Sequence, residues 1–258
     1  MYPYKLFWNI DFYTIFLGVA FFAAVVLFRL LADRAKLSAK LQNLCLGAGV
    51  VSMVGGYLFA VLFQGIYNAI ATGTFSLSQN TGATFYGGLI GGVAIFLAVY
   101  FLAGLRVFSQ KGEAKQALPH VFNIGICSVA LAHAIGRIGC LFAGCCHGAV
   151  TTAWYGIWNA DLGAKTVPTQ LFESLFLFAL CALLTRLELR KTRVNLSLYL
   201  ILYGIWRFGI EFLRADERGK TFIPGLTPSQ LTAIVFVVLG ILLLLFARKG
   251  SRRNDENS

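Results

Sequence analysis

A stretch without a single Asp, Glu, Lys or Arg extends over residues 41–105 and reads LQNLCLGAGVVSMVGGYLFAVLFQGIYNAIATGTFSLSQNTGATFYGGLIGGVAIFLAVYFLAGL. A helix that crosses a lipid bilayer needs roughly 20 apolar residues. The stretch therefore predicts two membrane spans, joined by the polar loop 71–84. Charged residues make up 13% of this chain, against about 25% in a soluble domain. With a mean hydropathy of +0.73, the chain is predicted to be an integral membrane protein.

The remaining apolar runs extend the same pattern along all 258 residues. We predict an all-α, polytopic membrane helix bundle with about seven spans, namely 12–31, 44–66, 85–105, 118–137, 168–186, 196–213 and 229–247. Residues 1–250 are expected to form a single integral-membrane domain, followed by a polar cytoplasmic tail at 251–258. Thr227 and Gln230 have the spacing of a capping box at the start of the seventh span.

The distribution of basic residues predicts the orientation of the bundle, because cytoplasmic loops are enriched in Lys and Arg. Loops one, three and five and the C-terminal tail carry fifteen of the 22 basic residues, namely Arg29, Arg34, Lys36, Lys40, Arg106, Lys111, Lys115, Arg186, Arg190, Lys191, Arg193, Arg248, Lys249, Arg252 and Arg253. We therefore expect the N-terminus outside and the C-terminus in the cytoplasm. The net charge of +11 follows from this topology and favours contact with anionic lipids, so nucleic-acid binding is not needed to explain it.

Several polar residues whose burial in a membrane costs free energy lie inside the predicted spans. A cation at the centre of a membrane helix costs roughly 2.5–3.5 kcal/mol, so Arg137 needs an anionic partner or a function. The predicted topology brings a set of polar side chains to the outer leaflet, namely Tyr86, Arg137, Glu173, Arg207, Glu211 and Arg214. The last three have i, i+4, i+7 spacing and are expected on one helix face. Guanidinium groups bind phosphate and carboxylates orient them, which predicts one phosphodiester site at this depth.

Two other motifs leave alternatives open. Gly87 and Gly88 begin the third span, where glycines either allow tight helix packing or expose backbone N–H groups to an anion. Cys140, Cys145, Cys146 and His147 form a cluster that matches none of the usual zinc spacings. The cluster could have a redox role, bind a soft metal or simply pack; we predict no metal and no cofactor. The lone Cys45, Cys127 and Cys181 are interpreted as packing residues.

With these residues in hand, the chain resembles the bacterial prolipoprotein diacylglyceryl transferase family. Four elements carry the resemblance, namely Phe85-Tyr86-Gly87-Gly88-Leu89-Ile90-Gly91, Gly136-Arg137-Ile138-Gly139, Pro168-Thr169-Gln170-Leu171-Phe172-Glu173, and Tyr203-Gly204-Ile205-Trp206-Arg207-Phe208-Gly209-Ile210-Glu211-Phe212-Leu213-Arg214. The match is distributed over spans three to seven, in the family's order. The family has seven spans and an external N-terminus, in agreement with the charge distribution.

The resemblance implies transfer of a diacylglyceryl group from phosphatidylglycerol to the lipobox cysteine of a prolipoprotein signal peptide, at the outer leaflet of the bacterial inner membrane. Arg137 and Arg207 would bind the headgroup and stabilise the departing phosphate. Glu173 and Glu211 would hold the arginines or accept the thiol proton. The implied substrate-binding residues are Gly87, Gly88, Gly136, Gly139, Gln170, Tyr203 and Arg214.

The chain departs from the family pattern at several positions. Tyr86 and Val167 stand where the family has histidines, Cys140 replaces an Asn, and Ala143-Gly144-Cys145 replaces Asn-Gly-Glu. Either Tyr86, His133 or His147 handles the proton, or the acceptor differs. Two alternatives therefore stay open: a membrane thiol-redox or metal-binding protein that uses the cysteine cluster, and a lipid-binding relative without catalysis.

Overall fold

A computed structural model describes residues 1, 5–7, 10–73, 75, 77, 84–108, 113–215, 223 and 225–255. Its helices are α1 (Phe12–Arg34), α2 (Ala39–Thr72), α3 (Phe85–Val107), α4 (Glu113–Ala143), α5 (Thr169–Leu189), α6 (Asn195–Ile210) and α7 (Pro228–Asp255), with a short 3-10 helix at Glu211–Leu213. The strands are β1 (Lys5–Phe7), β2 (Ile10–Asp11), β3 (Ile157–Asn159) and β4 (Ala164–Thr166).

In this described part of the chain, seven helical segments are long and apolar enough to cross a membrane. They coincide with the seven spans predicted from the sequence, so the all-α membrane bundle is confirmed. Helix α7 continues past its apolar part to Asp255, into the segment predicted as a polar tail. The external N-terminus, the cytoplasmic tail and the single domain over 1–250 stay predictions.

The chain divides into two compact units, which are described separately. The smaller unit is Ala35–Val121, and the larger unit comprises Met1–Arg34 and Phe122–Ser258. In the smaller unit, α2 begins at the N-cap Ser38, whose Oγ accepts a hydrogen bond from Leu41 N at 3.3 Å. It ends at Gly73, whose φ of 75° is a conformation that glycine adopts without a steric penalty.

Glycines allow α2 and α3 to pack closely in the smaller unit. A Cβ atom on Gly87 would lie 2.8 Å from Phe59 O, and one on Gly88 would lie 3.4 Å from Ala60 Cβ. Ser52 Oγ also donates a 2.6 Å hydrogen bond across the two helices to Gly92 O. The packing interpretation of these glycines is confirmed, while their contact with a phosphate group stays a prediction.

The larger unit contains a second close helix pair, α6 and α7. A Cβ atom on Gly204 would lie 2.8 Å from Ala233 O, and one on Gly240 would lie 2.8 Å from Ser197 O. Small residues let membrane helices approach until their backbones touch, which maximises van der Waals contact. This pair positions Arg207, one turn after Gly204, against the start of α7.

A substitution on α6 tests this packing. We expect Gly204→Ala to lower the free energy of unfolding by about 1–3 kcal/mol, the usual cost of overpacking, because the new methyl group meets the α7 backbone. The matched control is Gly209→Ala on the same helix, where a Cβ atom would have no neighbour within 4 Å. Unfolding of the purified protein by SDS in mixed micelles gives the measurement. Equal stability of the two variants would contradict the packing argument.

The end of α6 differs from the sequence-based prediction. The α-helix ends at Ile210 and tightens into the 3-10 helix, after which Arg214 is extended, with φ −90° and ψ 148°. The reason is backbone pairing: Ala149 N donates to Leu213 O at 3.0 Å, and Gly148 forms an antiparallel bridge with Arg214. The prediction that Arg207, Glu211 and Arg214 share one α-helix face is therefore wrong for Arg214.

Candidate active site

A buried ion pair between Arg137 and Glu173 forms the centre of the site. Arg137 Nη2 lies 2.6 Å from Glu173 Oε2, with side chains that are 12% and 2% exposed. Tyr203 Oη donates a 2.9 Å hydrogen bond to the other carboxylate oxygen, Oε1. The three residues lie on α4, α5 and α6, so their contacts connect three helices. The sequence placed Arg137 and Glu173 at one depth, and the structure brings them into contact.

Helices α4 and α5 are fixed to each other beside this pair. Ser174 Oγ donates a 2.8 Å hydrogen bond to Ala134 O, one turn before Arg137. The Ala134 carbonyl can accept this hydrogen bond and still keep its α-helical one, because a carbonyl oxygen has two lone pairs. The contact sets the distance between the two helices and thereby holds Glu173 within reach of the guanidinium.

His133 lies on the same side of α4 as Arg137. Its Nε2 is 3.9 Å from Glu173 Oε1, and its Nδ1 is 3.2 Å from Tyr199 Oη. The His133 ring also contacts the Tyr203 ring edge to face, with centroids 5.0 Å apart. Among the side chains suggested for proton handling that the structure describes, His133 lies beside Glu173. Tyr199 is a neighbour that the sequence analysis did not identify.

A second buried ion pair joins Arg207 and Glu211. Arg207 Nη1 lies 2.9 Å from Glu211 Oε2, which confirms the ion pair suggested by their spacing. Ser229 Oγ accepts a 2.8 Å hydrogen bond from Arg207 Nη2, and Thr227 Oγ1 donates one of 2.8 Å to Glu211 Oε1. The start of α7 thus holds both members of the pair.

The start of α7 also has the capping box predicted from the sequence. Gln230 N donates to Thr227 Oγ1 at 3.2 Å, and Thr227 N donates to Gln230 Oε1 at 3.1 Å. In the described residues, Arg137 Nε is buried without a hydrogen-bond partner. An N–H donor of this kind suits an incoming phosphate oxygen.

The cysteine loop that follows α4 is held by the first turn of α5. Gln170 Nε2 donates to Cys145 O at 2.5 Å, and Thr169 Oγ1 donates to Cys146 O at 2.9 Å. The loop has left-handed backbone at Gly144 (φ 73°) and at Cys146 (φ 61°). Gln170 is fully buried and shapes the loop, so its predicted contact with substrate stays a prediction.

The loop gathers three thiols beside Arg137. The Sγ atoms of Cys140, Cys145 and Cys146 all lie within 4.8 Å of one another, and Arg137 Nη1 is 3.9 Å from Cys140 Sγ. Hydrogen bonds from the Cys140 and Cys145 thiols lower the pKa of Cys146, and the Arg137 and Arg214 guanidiniums act in the same direction. Hydrogen bonding to the Cys140 and Cys146 thiols raises the pKa of Cys145. The pKa values of the two loop thiols are therefore shifted in opposite directions.

The remaining predicted site residues are placed as follows. A Cβ atom on Gly139 would lie 3.1 Å from Phe16 Cβ, so the absence of a side chain lets α1 pack closely against α4 here. A Cβ atom on Gly136 would have no neighbour within 4 Å. Tyr86 lies in the first turn of α3, and its side chain lies outside the part that the structure describes. Gly87 and Gly88 belong with it to the smaller unit. Their joint membership of one site with Arg137 stays a prediction.

A model of the prolipoprotein diacylglyceryl transferase family matches residues 4–246. The chain belongs to this family. A relative named phosphatidylglycerol–prolipoprotein diacylglyceryl transferase 2, from Clostridium perfringens, is 32% identical over 95% of this chain and 94% of its own length. A transferase of the same name without the number, from Clostridium tetani, is 30% identical over 90% of both chains. One from Finegoldia magna is 31% identical over 80% of this chain and 78% of its own.

Membership of the diacylglyceryl transferase family makes the Arg137–Glu173 pair the first target for substitution. Removal of one partner leaves the other charge buried, which costs about 3–5 kcal/mol. We expect Glu173→Gln and Arg137→Met each to lower the free energy of unfolding by that amount. The double variant should lose less free energy of unfolding than the two single variants lose together, because it leaves no unpaired buried charge. SDS unfolding of all four proteins measures the coupling, with exposed Arg190→Met as the control. Additive losses would contradict the pairing.

Proposed function

We propose that this protein transfers the diacylglyceryl group of phosphatidylglycerol to the thiol of the lipobox cysteine in a prolipoprotein signal peptide. The observation that carries the proposal is the pair of buried arginines, Arg137 and Arg207, in a member of this family. Each is paired with a carboxylate, and among the described residues Arg137 Nε has no hydrogen-bond partner, which leaves a donor for a second anion. A phosphatidylglycerol headgroup supplies that anion as its phosphodiester.

The reaction makes one bond and breaks one bond at a glycerol carbon. The acceptor thiol releases its proton, and its sulfur attacks that carbon and forms a thioether, while the bond from the carbon to the phosphate oxygen breaks. The electron pair stays on the phosphate, which leaves as glycerol phosphate. Charge grows on the phosphate oxygens as the bond breaks, so guanidinium donors fixed in advance stabilise the transition state more than the ground state.

The side chains around the arginines suggest separate roles. Arg137, with its unpaired Nε, binds a phosphate oxygen, and Arg207 stabilises the same group from α6. Glu173 and Glu211 orient the two guanidiniums, and Tyr203 fixes Glu173 by its hydrogen bond. His133 lies 3.9 Å from Glu173, whose two oxygens already pair with Arg137 and Tyr203. Gly136, with open space at its Cβ position, leaves room for the headgroup.

The site is proposed to face the outer leaflet of the bacterial cytoplasmic membrane. The excess of Lys and Arg in the odd-numbered loops and the tail supports an external N-terminus. With that orientation, the C-terminal end of α4 and the N-terminal end of α5 both face outward, and so does the Arg137–Glu173 pair. A prolipoprotein whose signal peptide lies in the membrane presents its cysteine at this side.

A transfer assay tests the function directly. Purified protein in phosphatidylglycerol micelles is mixed with a lipobox peptide, and the peptide mass and released glycerol phosphate are followed. We expect Arg137→Ala and Arg207→Ala each to lower kcat by about 10²–10³-fold, as loss of one anion-stabilising donor does. Arg186→Ala, at the exposed end of α5, is the matched control and should retain the wild-type rate.

Two results would overturn this proposal. Full activity in both arginine variants would show that the two arginines are not part of the active site. Phosphatidylglycerol binding without any transfer by the wild-type protein would indicate a lipid-binding relative. A peptide with Ser in place of its Cys completes the experiment, because the reaction requires a sulfur nucleophile. Transfer to that peptide would contradict the thioether chemistry.

A further inference from the structure

The three thiols beside Arg137 are arranged around a common point. Cys140, Cys145 and Cys146 bring their Sγ atoms within 4.8 Å of one another, and all three are free thiols. Three sulfurs that each lie about 2.3 Å from one zinc ion are separated by about 4 Å from each other. The sequence spacing argued against a metal site, but the left-handed turn at Cys146 folds adjacent cysteines toward Cys140.

The loop that carries the thiols is fixed before any ligand arrives. Its carbonyl groups accept hydrogen bonds from three buried side chains: Thr169, Gln170 and, at 3.0 Å from Gly144 O, Asn159. A non-glycine residue in left-handed backbone, here Cys146 (φ 61°), is sparsely populated and persists where the surroundings enforce it, often at functional sites. Preorganised ligands are what a metal site requires.

The charges around the cluster fit a metal bound by thiolates. Three thiolates and one divalent cation carry a net charge of −1. Arg137 Nη1 lies 3.9 Å from Cys140 Sγ, and Arg214 is bridged through its backbone to Gly148, two residues after Cys146. Positive groups at this distance stabilise both the thiolates and the anionic complex, whereas they would repel a metal held only by neutral ligands.

The acceptor thiol must lose its proton before its sulfur attacks, and both oxygens of the Glu173 carboxylate already have partners. Glu173 Oε2 pairs with Arg137 and Oε1 accepts from Tyr203. A thiol that coordinates zinc is deprotonated by the metal, and catalytic zinc sites combine three protein ligands with one open position. We propose that Cys140, Cys145 and Cys146 bind a thiophilic divalent cation of the zinc class, whose open position receives the acceptor thiol. This inference rests on the proposed function.

The proposed step conserves atoms and electrons. The acceptor thiol replaces a hydroxide on the cation, and its proton converts that hydroxide to water. The bound sulfur then donates an electron pair to the glycerol carbon of phosphatidylglycerol, while the carbon–oxygen bond breaks toward the phosphate held by Arg137. The product thioether is a weaker ligand than a thiolate, so water replaces it and the lipidated peptide leaves.

Cadmium titration tests the metal site without any activity measurement. The full-length protein in micelles, reduced and freed of metal by a chelator, is titrated with Cd²⁺, and the sulfur-to-cadmium charge-transfer absorption is recorded. We expect saturation at one equivalent. Cys140→Ser, Cys145→Ser and Cys146→Ser should each remove about a third of the absorbance and lower the affinity by at least about 10–100-fold, the loss expected even for outer ligand partners.

The matched control for the titration is Cys181→Ser, which changes a buried thiol on α5 that hydrogen bonds to Cys127 O. Its titration should equal that of the wild-type protein. Three results would overturn the metal site: no charge-transfer band, a band that the three substitutions leave unchanged, or a disulfide within the cluster in protein isolated under metal-replete conditions. Circular dichroism of each variant separates loss of ligand from loss of fold.

A cobalt experiment tests the open position. The Co²⁺-loaded protein should change its visible ligand-field spectrum on addition of the lipobox peptide, and the Ser-for-Cys peptide should leave the spectrum unchanged. No response to the thiol peptide would overturn the acceptor assignment. In the transfer assay, full activity after chelation would overturn the metal role while leaving the proposed function intact. Failure of transfer at every metal loading would instead reject the proposed function itself.

Discussion

The ion pair between Arg137 and Glu173 is the constraint on which the site depends. A guanidinium within a membrane span is costly unless an anion meets it, and here the anion comes from the neighbouring helix at 2.6 Å. Tyr203 then fixes the carboxylate from α6, and Ser174 fixes α5 to α4. One electrostatic requirement thus brings three helices together, and it leaves Arg137 Nε buried without a hydrogen-bond partner among the described residues.

The second pair, Arg207 with Glu211, uses the same principle with different supports. The α6–α7 contact through Gly204 and Gly240 brings Ser229 and Thr227 to the two charges. These hydroxyls stabilise the charged groups without neutralising them. A phosphate group that enters between the two arginines would therefore meet two cations whose positions are already fixed, which is the condition for electrostatic stabilisation of a transition state.

The cysteine loop and the Arg137–Glu173 ion pair are both held by the first turns of α5. Thr169 and Gln170 in the first turn of α5 hold the loop carbonyls, and Glu173 lies one turn further along the same helix. The loop and the ion pair therefore share one support. The loop thiols Cys145 and Cys146 lie within 4.8 Å of Cys140, whose Sγ on α4 is 3.9 Å from Arg137 Nη1, so the cysteine cluster adjoins the ion pair.

The sequence by itself determined the seven spans, the family, the Arg207–Glu211 pair and the capping box at Thr227, because each depends on hydropathy or on short, regular spacing. Only the tertiary structure decided which carboxylate meets Arg137, since Glu173 is 36 positions away on another helix and several acids were available. It also decided that Arg214 leaves the α6 face, because pairing with the cysteine loop overrides helical periodicity. The convergence of three thiols from an irregular Cys-x4-Cys-Cys spacing had no sequence signal, since it arises from a left-handed turn held by side chains of α5.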